Sequence, residues 1–221
     1  MEYKRLTLLC GHYGSGKTNI AVNMALDLRK KYDNVAVADL DIVNPYFRTK
    51  DSSKEFEEAG IRLIVSEFAN SNLDIPSLPQ DMYALTDDLR LRAVIDVGGD
   101  DRGALALGRL APKIIQEGNY DMLMVINKFR PLTPDAESTI EVMHEIEGAG
   151  GIKFTGLINN SNLSDETSPQ DVLKSRDYAM QVSALSGLPI VLTTVKQELY
   201  NILNGQIDNL FPMVLQKRPA N

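Results

Sequence analysis

The sequence predicts an α/β fold: a single domain in which a mostly parallel sheet of about seven strands carries helices on both faces. Three observations lead there. Short apolar runs rich in β-branched residues recur along the chain, short enough for strands and apolar enough to be covered on both sides. Longer stretches with helical spacing lie between them, and regular strand–helix alternation builds parallel sheets. A glycine-rich turn, "CGHYGSGKTN", joins the first strand to the first helix.

In chain order, "RLTLLC" is the first strand. "KTNIAVNMALDLRKKY" follows as a helix apolar on most sides, with lysines and an arginine at its end, where cations complement the helix dipole. "NVAVADL" and "IRLIVS" are the second and third strands. The next stretch, "SEFANSNLDIPSLPQDMYALTDDL", is the least regular and holds two prolines, so it is expected to be a mobile or partner-facing insertion. "RAVIDV", "DMLMVIN", "FTGLINN" and "LPIVLTTV" supply the remaining strands. Between them, "RGALALGRLAPKIIQEG", "PDAESTIEVMHEIEGAG" and "SPQDVLKSRDYAMQVSALSG" have helical spacing and end near glycine. One domain is expected over residues 1–221, with a tail from about 205 outside the recognised pattern. That tail, "NLFPMVLQKRPAN", is expected to pack on the domain, because Pro212 and Pro219 interrupt any helix that could lie on a membrane.

Composition narrows the classes of function. A net charge of −7 repels phosphate backbones and argues against general nucleic-acid binding. No run approaches the roughly 20 apolar residues of a membrane helix. The opening residues lack a signal-peptide layout. The single cysteine, Cys10, allows no disulfide within the chain and is expected to be a small packed residue. A cytoplasmic location is expected.

Gly11, Gly16, Lys17 and Thr18 match G-x-x-x-x-G-K-[ST], the P-loop, with a strand before it and a helix after it. Glycines let backbone N–H groups turn inward around a phosphate, and the helix that follows presents its positive end. Lys17 supplies charge to the β/γ oxygens from an exposed loop, and the Thr18 hydroxyl is a ligand for Mg²⁺. His12, Gly14, Ser15 and Asn19 complete the stretch expected to touch the nucleotide. Asp96, at the end of "RAVIDV", suits a Walker B aspartate on the Mg²⁺ shell. Asp39 and Asp41 end the second strand at i and i+2 and so point the same way. Asp41 is expected to orient the attacking water and to serve the metal, with Asp39 in support.

Together, the P-loop, "DLD" and "DVGGD" resemble the MinD/ParA/CobQ class of P-loop ATPases, with local similarity to nitrogenase iron proteins in "GLINNSN". The resemblance implies that Asn160 bonds the adenine base. It also implies that Asp100 relays the γ-phosphate state to a partner surface. The sequence departs from that class where a signature lysine reaches across a dimer: His12 stands there. The cysteines that hold the iron-protein cluster are absent as well.

The expected activity is therefore that of a Mg²⁺-dependent ATPase acting as a nucleotide switch, with Lys17, Asp39, Asp41 and Asp100 in catalytic roles. It would bind ATP and ADP, form a homodimer, and serve a client protein such as a metalloenzyme or redox system. The alternative is an ATP-dependent small-molecule ligase or kinase of the CobQ/dethiobiotin-synthetase type. "VINKFRP" resembles the guanine signature N-K-x-D, but Arg130 replaces the acid that would accept the guanine N–H donors. Adenine is the favoured base, and Asn127 is read as strand-end structure.

Overall fold

The computed structural model describes residues 2–40, 50–65, 80–98 and 101–215. Eight strands form one sheet: β1 (Leu6–Cys10), β2 (Val35–Asp39), β3 (Arg62–Val65), β4 (Arg92–Asp96), β5 (Tyr120–Ile126), β6 (Gly156–Asn159), β7 (Ile190–Lys196) and β8 (Leu210–Met213). Their order is β3-β2-β4-β1-β5-β6-β7-β8, and every neighbouring pair is parallel. Seven helices are described: α1 (Lys17–Arg29), α2 (Lys50–Ala59), α3 (Ala84–Asp87), α4 (Asp101–Glu117), α5 (Ala136–Gly150), α6 (Pro169–Ser186) and α7 (Gln197–Leu203).

The two-residue period of the strands sorts the core into two layers. On β1, Leu6, Leu8 and Cys10 face one side, packing with Leu107, Leu110 and Ile114 of α4, Met143 of α5, and Tyr178 and Val182 of α6. Leu9 faces the other side, with Ile20, Met24 and Leu28 of α1 and Phe56 of α2. A parallel sheet covered on both faces explains why the strands read as continuous apolar runs.

Local signals set the helix ends. Asp135 caps α5 through Ser138 N at 2.9 Å, and Gly151 closes it in the left-handed conformation. Ser168 and Asp171 form a capping box ahead of α6, with Pro169 in its first turn.

Two expectations change. The tail adds an eighth strand, β8, paired with β7 at the sheet edge. Pro212 removes a ladder donor, a substitution an edge strand tolerates, and that proline hides the strand in the sequence. The irregular stretch after β3 is not all insertion. Residues 66–79 lie outside the described residues, but Gln80–Tyr83 forms a 3₁₀ turn and α3 follows, with Met82 and Leu85 fully buried. The buried Arg5 guanidinium holds this segment, donating to the carbonyls of Leu85 and Leu91 at 3.0 Å and of Asp88 at 3.3 Å, and to the Glu117 carboxylate. No described helix is long and apolar enough to cross a membrane.

Candidate functional site

At the C-terminal edge of the sheet, β1 runs into the loop of residues 11–16 and then into α1. Gly11, Gly14 and Gly16 take φ values of +142°, +77° and +95°, a region that L side chains rarely enter. Space also demands glycine at two of them. A Cβ on Gly11 would lie 2.5 Å from the Val125 carbonyl oxygen, and one on Gly16 would overlap the Asn160 side-chain nitrogen.

Lys17, the first residue of α1, is buried rather than held in an exposed loop as expected. Its ammonium returns onto the loop, donating to the Gly11 carbonyl at 2.8 Å and to the His12 carbonyl at 3.3 Å. The charge thus sits inside the curve of the loop, and the helix N-terminus faces the same point.

The Thr18 hydroxyl donates to Asp96 Oδ2 at 2.6 Å, joining the first turn of α1 to the end of β4. Strand register explains the meeting. Val94 belongs to the core layer that α1 covers, so Asp96, two residues on, faces the same side. Asp39 is level with Asp96 on the adjacent β2 and follows the same alternation from Val35 and Val37. Both carboxylates are almost wholly buried. Two carboxylates and a hydroxyl in this arrangement are hard oxygen groups of the kind that could hold a cation such as Mg²⁺. Asp41 and Asp100 lie outside the described residues.

Behind that site, a Cβ on Gly103 in the first turn of α4 would lie 2.7 Å from the Gly98 backbone. The helix therefore packs directly on the strand end, a closeness that only glycine permits.

Asn160 is not turned toward open space. It is buried, its Nδ2 donates to the Ser15 carbonyl at 2.6 Å, and its Oδ1 accepts from Thr194 Oγ1 at 2.5 Å. The amide ties the loop of residues 11–16 to the ends of β6 and β7. Position was legible in "GLINNSN", but the direction of the side chain depends on Thr194, which no motif marks. Beside it, a small depression of about 10 Å³, room for about one water, is lined by Asn162, Thr167, Thr194 and Lys196 together with the apolar Val172, Val195 and Met213.

His12 is half-buried, and its Nδ1 lies 2.9 Å from the Tyr13 carbonyl. A carbonyl only accepts, so Nδ1 carries the proton. Asn19 is half-buried in the first turn of α1. Burial pushes the Cys10 thiol up to about 12, against the pull of Lys17, so Cys10 is a packed residue and not a nucleophile.

One contributor escaped the sequence reading. Arg130 lies against the loop: a Cβ on Gly14 would be 3.7 Å from its Nε and 3.8 Å from its Cζ. The residues "NKFR" were informative there as a departure from a guanine motif, and nothing in them signals contact with the loop.

No protein-family model and no curated protein sequence matches the chain. Solved structures do. FtsY from Mycoplasma mycoides is 20% identical over 88% of this chain and 61% of its own, with a TM-score of 0.54. Signal recognition particle 54 kDa protein from Aeropyrum pernix K1, in complex with GDP, is 18% identical over 87% of this chain and 41% of its own, at 0.53. FlhF complexed with GTP and Mg²⁺ is 14% identical over 89% and 67%, at 0.55. This chain thus spans about three fifths of that FtsY chain. The likeness is one of fold.

Proposed function

We propose that the protein is a Mg²⁺-dependent ATP-binding switch of the MinD/ParA/CobQ class that hydrolyses ATP and serves a client protein. The observation that carries this reading is the 2.6 Å bond between Thr18 Oγ1 and Asp96 Oδ2 at the mouth of a loop whose lysine is drawn inward. Turn, cation and paired oxygen ligands are the parts a bound nucleoside triphosphate requires. Mg²⁺, when bound, would neutralise charge on the phosphate oxygens.

The chain's own residues have separate tasks. Loop N–H groups and Lys17 bind phosphate oxygens. Asp39 supports the metal shell from the adjacent strand. Asp41 orients water and Asp100 relays the phosphate state outward. Asn160 is assigned to the loop, because Ser15 and Thr194 engage both ends of its amide. Adenine is favoured over guanine because Arg130 stands where an acid would read guanine. The GTP and GDP in the FlhF and signal recognition particle structures belong to those proteins and make guanine the rival to exclude.

A ligase or kinase is the second reading, favoured by His12 in place of the cross-subunit lysine. Phosphate release from purified protein with ATP or GTP alone separates these possibilities. Turnover with ATP that Asp41→Asn abolishes supports the switch. Preference for GTP overturns the base assignment, and binding of ATP without any release favours the coupled enzyme.

A further inference from the structure

We infer that Arg130 is a phosphate-binding cation of the nucleotide site, delivered from the turn after β5 onto the glycine loop. The inference rests on reading that loop as a nucleotide cradle.

The turn is rigidly tied. The Asn127 carbonyl accepts from Arg130 N at 3.2 Å and from Thr133 Oγ1 at 3.3 Å, while Asn127 Oδ1 accepts from Phe129 N at 3.0 Å. Lys128 N donates to Ser161 Oγ at 3.1 Å, and Thr133 N to the Arg130 carbonyl at 3.1 Å. These bonds fix where the Arg130 side chain starts, and it ends against Gly14.

What it meets there is unbalanced. Arg130 Nε is buried with no hydrogen-bond partner, and among the described residues the guanidinium has no ion pair. Two further buried polar atoms of the same region are also unpartnered: Asn127 Nδ2, from a residue 1% exposed, and Ser15 Oγ, from a residue 2% exposed. Among the described residues only four buried side-chain atoms lack partners, and three belong to the loop and to the turn pressed against it. A buried donor without an acceptor is costly, and a cationic one more so. Concentration of such donors at a phosphate-cradling loop calls for an anionic, acceptor-rich ligand. A guanidinium meets phosphate oxygens with strong, charge-assisted hydrogen bonds. Lys17 therefore supplies one cation to the cradle, and Arg130 a second from another strand.

Calorimetric titration of inorganic triphosphate and of Mg-ATP into wild type, Arg130→Ala, Arg130→Gln and Lys17→Ala tests this, with circular dichroism confirming the fold. Loss of one charge-assisted contact should weaken both ligands about tenfold in each Arg130 variant, and Arg130→Lys should recover part of the loss. Gln places a neutral donor where Arg130 Nε stands, so comparison with Ala separates the lost charge from the lost packing. Triphosphate bound by folded Arg130→Gln as tightly as by wild type overturns the inference while leaving the cradle intact, provided Lys17→Ala loses binding. Wild type that binds neither triphosphate nor any nucleotide overturns the cradle itself.

Discussion

Replacing Asn160 by Ala removes two bonds at once. Nδ2 no longer reaches the Ser15 carbonyl, and Oδ1 no longer accepts from Thr194. Thr194 Oγ1 keeps a second acceptor, the Asn159 carbonyl at 3.4 Å, so its loss is partial. Ser15 is buried, and its carbonyl is stranded. An unsatisfied buried acceptor costs about 1–3 kcal/mol. For a chain of 221 residues each kcal/mol moves the melting temperature by about 2–4 °C, which predicts a fall of roughly 2–12 °C. The loop loses its tie to β6, so ATP and inorganic triphosphate should weaken together. Thr194→Val is the control: it removes the hydroxyl and both its bonds but leaves the Asn160–Ser15 tie in place, so triphosphate binding should fall less. Thermal melts and paired titrations read both quantities. An unchanged melting temperature, or a loss confined to ATP, would refute the loop-tie reasoning and return Asn160 to the base.

The remaining predictions concern the loop, the oxygen pair and one half-buried carboxylate. Gly16→Ala forces a side chain into a left-handed backbone and into the Asn160 amide, so it should destabilise the fold by about 1–3 kcal/mol from strain alone and lose nucleotide binding; melting and titration check both. Asp96→Asn should leave ADP binding without Mg²⁺ nearly unchanged and remove the tightening that Mg²⁺ brings, read by titration with and without EDTA. Glu147 lies below the ordinary glutamate range: burial opposes that shift, but hydrogen bonds from Lys153 at 2.5 Å and from Phe154 N at 3.0 Å outweigh it. With the folded value below the unfolded one, its stabilisation is present above about 4.5 and fades as pH falls through the folded value. Glu147→Gln should therefore unfold at lower urea than wild type at pH 7, by about 1 kcal/mol, with the gap closing in acid.

Much of this architecture was legible because its signals are local. Seven strands announce themselves as short apolar runs, and "GSGKT" declares its turn through glycines that the backbone requires. Asp96 and Thr18 are 78 residues apart, yet each sits at a position fixed by its own strand or helix, so their meeting could be expected. What stayed hidden depends on tertiary neighbours. The direction of Asn160 is set by Thr194, and the place of Arg130 is set by a turn tied to Ser161. Lys17 turned out buried because two loop carbonyls receive its ammonium, a feature no spacing encodes. β8 was masked by its own proline.

The central claim is that the loop of residues 11–18 holds the phosphates of a nucleotide with Lys17 as its cation. Isothermal titration of Mg-ATP into wild type and into folded Lys17→Ala tests it most directly. The account predicts saturable binding of one ATP per chain in wild type and a loss of at least about a hundredfold in the variant, since Lys17 contributes charge-assisted bonds from inside the loop. Equal affinity in the two proteins, or no binding to wild type, would contradict it.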